Sequence, residues 1–223
     1  MSTGCRAIDQ IMGGGMSAGE VALLFGERGS GKTSLAFQAM VSAAQRGLGA
    51  TMLYTEGRAP VERLTEIAGA SWPSVGDLCY LLEAKTFEEQ DSIIESLQSQ
   101  IPPGTALMVI DSINSLYRAR LGEHDENISI NKSLSRQLAL LKAAARGMGI
   151  AVLITSEVRA QLDSNAVQPV AYRILGYWVD RAVRLEKLQG SVRKATSTKP
   201  PPERDALIKV TPLGLEGMGA SIV

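Results

Sequence analysis

Short apolar runs alternate with helix-length amphipathic stretches over the first two-thirds of the chain. Val21 to Phe25 is uninterrupted apolar sequence running into a glycine-rich loop, which predicts a strand buried on both faces. Ser34 to Arg46 consists of good helix formers and stops at Gly47, a suitable C-cap. Ala50 to Thr55 predicts a second strand, and Pro60 to Ala68 a helix with proline in its first turn. A third strand is expected over Leu78 to Leu82, followed by an amphipathic helix from Phe87 to Gln98 with Ile93, Ile94 and Leu97 inward. Ala106 to Ile110 reads as a fourth strand closing at Asp111. Ser129 to Arg146 reads as a long helix with Leu134, Leu138 and Leu141 along one side. Ile150 to Thr155 is a further buried strand. Beyond Pro169 come a short helix and strands over Trp178 to Leu185 and Ala206 to Thr211, with Lys194 to Glu203 as a proline-containing loop or hairpin end.

That order predicts an α/β fold: a largely parallel central sheet flanked by helices, with a C-terminal antiparallel extension. At 223 residues it suits one core domain over residues 1–223. Ligands of such sheets gather beyond the carboxyl ends of the strands. The polar strand ends Thr55-Glu56, Asp111-Ser112 and Thr155-Ser156-Glu157 are therefore expected to crowd around the glycine loop.

The loop itself, Gly26-Glu27-Arg28-Gly29-Ser30-Gly31-Lys32-Thr33, fits the phosphate-loop pattern at every position, follows a strand and opens a helix. Glycines let successive backbone N–H groups turn inward around phosphate oxygens. Lys32 would reach the outer phosphates, Thr33 would offer its hydroxyl to Mg²⁺, and the helix beginning about Ser34 would point its positive end at the anion. These residues, with Ser34, make up the expected ATP-binding set. Asp111, at the tip of a buried strand, is the second candidate for holding Mg²⁺. Glu56 is either a base that orients the attacking water or an exposed loop acid, and its spacing alone does not decide.

Charge changes the picture only locally. The chain carries 23 basic and 23 acidic side chains, so binding to a polyanion must come from a patch. From Arg181 to Lys209 eight bases stand against three acids: Arg181, Arg184, Lys187, Arg193, Lys194, Lys199, Arg204 and Lys209 against Glu186, Glu203 and Asp205. A solvated hairpin and a phosphate-facing surface both fit that count. Two distant cysteines and one histidine offer neither a disulfide framework nor a zinc site. With no secretory signal and no apolar run of about 18 residues, a soluble cytoplasmic protein without membrane contact is expected.

Taken in order, these elements resemble the RecA/RadA recombinase superfamily, and within it the archaeal RadB family. The resemblance rests on Ser2-Thr3-Gly4, Asp9 to Gly15, the phosphate loop, Thr55-Glu56-Gly57, Glu62-Arg63-Leu64, Asp111-Ser112-Ile113, Tyr117-Arg118, Ser135-Arg136-Gln137-Leu138 and the strand Ile150 to Thr155. It implies a RecA-like P-loop ATPase core with no DNA-binding domain ahead of it and no linker for filament assembly. It also implies Glu56 as the catalytic-position glutamate beside Lys32, and Arg63 as an arginine that stacks on adenine. DNA-contacting loops would lie within Arg118 to Asn131 and Val158 to Val170.

Some residues depart from the strand-exchange pattern. The first loop holds Glu123, Asp125 and Glu126, which repel phosphate. Glu157 stands where strand-transfer recombinases have a glutamine, and the second loop carries only Arg159 as a base. The reading this favours is an ATP- and Mg²⁺-binding accessory protein of DNA repair and homologous recombination. It would bind DNA, single-stranded before double-stranded, hydrolyse ATP slowly if at all, and modulate a RadA-type recombinase; a homo-oligomer stays open. The alternative is a KaiC-like regulatory ATPase acting through protein partners without DNA. A small-molecule kinase is disfavoured, because no arginine-rich lid lies between Asp111 and Ile150.

Overall fold

In the computed structural model, which describes residues 1–122, 124–160, 167–169 and 171–219, the chain builds one ten-stranded sheet between two helical layers. The elements follow in order: α1 (Arg6–Ile11), β1 (Val21–Gly26), α2 (Lys32–Ala44), β2 (Gly49–Tyr54), α3 (Val61–Ala68), α4 (Trp72–Val75), β3 (Cys79–Glu83), α5 (Phe87–Glu95) and α6 (Leu97–Gln100). Then come β4 (Thr105–Asp111), α7 (Ser115–Arg120), α8 (His124–Met148), β5 (Ala151–Ala160), β6 (Val167–Pro169) and α9 (Tyr172–Trp178). A run of strands closes the chain: β7 (Arg181–Lys187), β8 (Val192–Lys199), β9 (Arg204–Thr211) and β10 (Gly214–Gly217).

The sheet runs β10-β9-β8-β7-β1-β5-β4-β2-β3, with β6 pairing β5 off this path. From β7 to β3 the strands are parallel; β7 to β10 form the antiparallel extension. The expected α/β architecture is therefore the observed one.

β1 shows why the centre of the sheet is fixed in register. Ala22 and Leu24 pack toward α1 to α4, whereas Val21, Leu23 and Phe25 pack toward α5 to α9. Side chains alternate along a strand, so a slip of one residue would exchange the two sets between layers that do not fit them. Burying a side chain the size of Leu or Phe contributes about 1.5–3 kcal/mol, and three of these five are that large. α5 starts where Thr86 caps it, its side chain accepting the Glu89 N–H at 3.1 Å while Glu89 reaches back to the Lys85 N–H at 2.7 Å.

The phosphate-loop helix is also tied to the far edge of the sheet. The Gln38 amide accepts from the Leu215 N–H at 2.8 Å and donates to the carbonyls of Leu215 and Gly4 at 3.1 and 2.9 Å. It satisfies Leu215 much as a neighbouring strand would.

Several boundaries differ from expectation. The helix expected over Phe87 to Gln98 breaks at Ser96 into α5 and α6, and β5 runs past Thr155 to Ala160, so that the described ends of the second expected DNA loop are paired strands rather than loop. Lys194 to Lys199 is strand β8 rather than loop; only the proline turn after it, Pro200 to Glu203, is irregular. β8 is poor in apolar residues, but Thr196 and Ser197 are buried there, and Thr196 donates to Asp205 at 2.6 Å. Trp178 closes α9 instead of opening a strand, its indole N–H bonded to Ser135 at 3.1 Å, and β7 starts at Arg181. α8 starts at His124, not Ser129, so most of the first expected DNA loop, Arg118 to Asn131, is helical: α7 reaches Arg120, and Leu121 and Gly122 are the described residues outside the two helices.

Candidate functional site

β1 delivers the chain at Gly26 to a loop that turns through positive φ at Gly29 (74°) and Gly31 (105°) before α2 begins. Those angles are strained for any residue with a Cβ. At Gly26 the restriction is space, because a Cβ there would be driven into the Leu185 carbonyl of β7. Within the loop the Ser30 N–H donates to the Glu27 carbonyl at 3.2 Å, and the first helical bond is Leu35 N–H to Gly31 at 2.9 Å. The amides of Lys32, Thr33 and Ser34 precede that bond and have no acceptor inside the helix.

Lys32 is 7% exposed, and its ammonium donates to the carbonyls of Gly26 and Glu27 at 2.9 and 3.0 Å. Burial lowers its pKa from the ordinary lysine value, against the pull of Glu157, Asp111 and Glu56. No carboxylate holds it in an ion pair among the described residues. Its charge is carried by the loop it belongs to.

The three strand ends meet here as the topology requires. Asp111 is 2% exposed; one oxygen accepts the Thr155 hydroxyl, and Oδ2 is buried without a partner. Burial raises its pKa, and the hydroxyls of Thr155 and Thr33 act the other way. Thr55 stitches the loops after β2 and β4 together, donating to the Ser112 carbonyl at 2.7 Å, accepting the Ser112 N–H at 2.9 Å and lying 2.6 Å from the Ser115 hydroxyl. Glu56 is exposed beyond this knot and accepts from the Ser112 hydroxyl at 3.0 Å. A buried orphan carboxylate oxygen with a threonine hydroxyl nearby offers the oxygen ligands a divalent cation takes, and the ammonium suits the phosphate that such a cation accompanies. No cluster of three or more His, Cys, Asp or Glu forms a separate metal site among the described residues.

Other expected residues are placed more loosely. Arg63 reaches from α3 to the β9–β10 turn, donating to the carbonyls of Thr211 and Pro212 at 2.9 and 2.7 Å, with Nε 3.4 Å from the Ser34 hydroxyl. Its guanidinium thus lies against the first turn of α2. Glu27 and Arg28 are exposed on the outer loop. Glu157, level with Gly26 in the sheet, pairs with Arg118 at 2.6 Å. Glu123 and the side chains of Asp125, Glu126 and Arg159 lie outside the described residues, as do 161–166 and 170 of the second expected loop.

The Arg181 to Lys209 segment is not a free cationic surface. Arg181 is held by Glu20 at 2.6 Å, Arg184 by Glu186 at 3.0 Å and Lys194 by Asp205 at 2.8 Å. Lys199 donates to the Gly176 and Val179 carbonyls at the end of α9. Arg204 and Lys209 are exposed and have no ion pair among the described residues. Lys187 and Arg193 instead reach the phosphate loop, a role that counting charge could not reveal because it depends on which strands are neighbours.

Comparison with known proteins agrees with this architecture. The Rad51 family profile matches residues 1–218. A DNA repair and recombination protein RadB from Methanocaldococcus jannaschii is 34% identical over 82% of this chain and 85% of its own length. Its namesake from Methanosphaera stadtmanae is 31% identical over 86% and 83%. A crystal structure of the RadB recombinase superposes with a TM-score of 0.83 at 32% identity, covering 98% of this chain and 99% of that one.

Proposed function

The chain belongs to the Rad51 family, and from that premise we propose that it is an ATP- and Mg²⁺-binding accessory protein of DNA repair and homologous recombination. In this reading it binds single-stranded DNA, hydrolyses ATP slowly, and modulates a RadA-type recombinase. The observation that carries it is the Asp111 oxygen left unpartnered beside Thr33 and Lys32, at the mouth of a complete glycine loop. An unpaired buried carboxylate oxygen costs roughly 1–3 kcal/mol or more, a cost that a bound cation removes.

The residues divide the work by position. Gly26 to Thr33, with the Ser34 amide, surround the phosphates, and Lys32 turns from the loop carbonyls toward the outer ones. Thr33 and Asp111 hold Mg²⁺, which when bound neutralises charge on the phosphate oxygens. Glu56, anchored by Ser112, orients water at the open side of the site. Arg63, fixed against α2 by the Thr211 and Pro212 carbonyls, offers a flat cation to adenine.

One observation favours the competing reading, a regulatory ATPase that acts through proteins: most cations of the C-terminal segment already have partners. Binding of single-stranded oligonucleotide at two salt concentrations, with and without Mg-ATP, separates the two. Salt-sensitive binding that ATP alters is the expected result. Absence of binding at low salt overturns the DNA assignment and leaves the nucleotide site standing.

A further inference from the structure

Lys187 ends β7 and Arg193 lies near the start of β8, directly opposite each other in the antiparallel register. Cross-strand neighbours project from the same face, and like charges in that position repel. Both side chains nevertheless converge on one point of the glycine loop. Arg193 donates to the Gly29 carbonyl at 3.3 Å, and a Cβ on Gly29 would lie 3.4 Å from both Cε and Nζ of Lys187.

Neither charge is well compensated. Arg193 is 9% exposed, among the described residues donates only to the carbonyls of Gly190, Val192 and Gly29, and leaves Nε buried without a partner there. It has no ion pair among the described residues, whereas a buried cation ordinarily has one. Lys187 has Glu27 at 3.7 Å, an exposed and distant pairing. Its charge is near enough to count against the protonated form of Lys32, so three cations share this corner.

We propose that Lys187 and Arg193 form a second cationic element of the nucleotide site, contributed by the β7–β8 hairpin of the same chain. The anion that balances them is the outermost phosphate. Arg193 is a positioning residue: by holding the Gly29 carbonyl outward it fixes the Gly29–Ser30 peptide, whose N–H is bonded to Glu27. Lys187 supplies charge across the outer face of the loop. The pair thereby makes affinity depend on phosphate number, favouring triphosphate over diphosphate. This rests on the reading of the glycine loop as a nucleotide site.

The test is calorimetric titration of the full chain with Mg-ATP and with Mg-ADP, for wild type, Lys32→Ala, Lys187→Gln, Arg193→Gln and Arg193→Lys. Lys187→Gln alters an exposed side chain and should weaken Mg-ATP about tenfold and Mg-ADP less than about threefold, since the added charge of ATP sits farthest out. Arg193→Gln should shift the ATP-to-ADP ratio in the same direction, with Arg193→Lys restoring part of it. Equal losses for the two nucleotides, or a lower melting temperature with the ratio unchanged, overturn the proposal. If wild type binds Mg-ATP, Lys32→Ala does not, and the hairpin variants keep the wild-type ratio, only the hairpin's role falls. If wild type binds neither nucleotide, both readings fall.

Discussion

The glycine loop and the C-terminal strands both carry cations, and they use charge in opposite ways. In the loop, Lys32 is nearly buried yet meets only carbonyl oxygens of its own turn, so its charge faces whatever enters. Along β7 to β9, Arg181, Arg184 and Lys194 each lie against a carboxylate, and Lys199 closes the end of α9. Five surplus positive charges counted along a segment are therefore not a field. Exposed pairs of this kind contribute about 0–1 kcal/mol each, but they do cancel one another at a distance. What distinguishes a binding cation here is the absence of a close carboxylate partner, and Arg193, with no ion pair among the described residues, and Lys187, with only Glu27 at 3.7 Å, belong with the loop on that criterion.

The sharpest way to break this contrast is Lys32→Ala. It should lower ATP affinity about a hundredfold or more, because a charge-assisted bond to phosphate in a partly buried site is worth about 1.5–3 kcal/mol and the charge itself is lost as well. Calorimetry that returns wild-type affinity would mean that the loop is not the nucleotide site. Asp111→Asn comes next. It keeps an acceptor for Thr155 but removes the anion, and about a tenfold loss of ATP affinity is expected in Mg²⁺, with little change in EDTA. Equal losses in both buffers would place the effect in folding instead.

The other side of the contrast gives smaller effects. Arg204→Gln with Lys209→Gln removes two exposed, unpaired cations and should lower the salt slope of single-strand binding by about 1.4 if each contacts a phosphate. Lys194→Gln should leave that slope unchanged, since Lys194 already has Asp205. Similar slopes for the two variants would erase the distinction between paired and unpaired bases.

Smallest is Glu20→Gln. Arg181 holds the Glu20 carboxyl below the usual glutamate range, so the pair adds stability that is complete above an unfolded pKa of about 4.3 and is lost as the pH falls through the lower folded value. Melting curves of wild type and variant should differ slightly at neutral pH and converge in acid. Curves that stay apart at low pH would show that Glu20 acts through packing rather than charge.

What the sequence disclosed follows the same division. The glycine loop was legible because its backbone angles admit few residue types, as Gly29 and Gly31 show. The meeting of Thr55, Asp111 and Thr155 was legible from parallel topology, which puts every carboxyl end on one side. β8 was not, since a strand between two others can bury polar residues such as Thr196 and Ser197, and Thr196 has Asp205 of the neighbouring strand to satisfy it. The first turn of α8 was hidden for a related reason: Asn127, Ile128 and Ser129 precede its buried stripe, and Ile128 is 49% exposed. The convergence of Lys187 and Arg193 on Gly29 depends on β7 lying next to β1, which no local pattern records.

The bracket that Gln38 places around Leu215 bears on how the sheet edge opens. β10 is a four-residue terminal strand that would ordinarily fray and trade its amide protons within moments. With its N–H donated to a side chain rooted in α2, the Leu215 amide is freed only when that helix shifts or the side chain lets go. Deuterium uptake at this one edge residue thus reports release of the Gln38 bracket that joins β10 to the helix carrying Lys32.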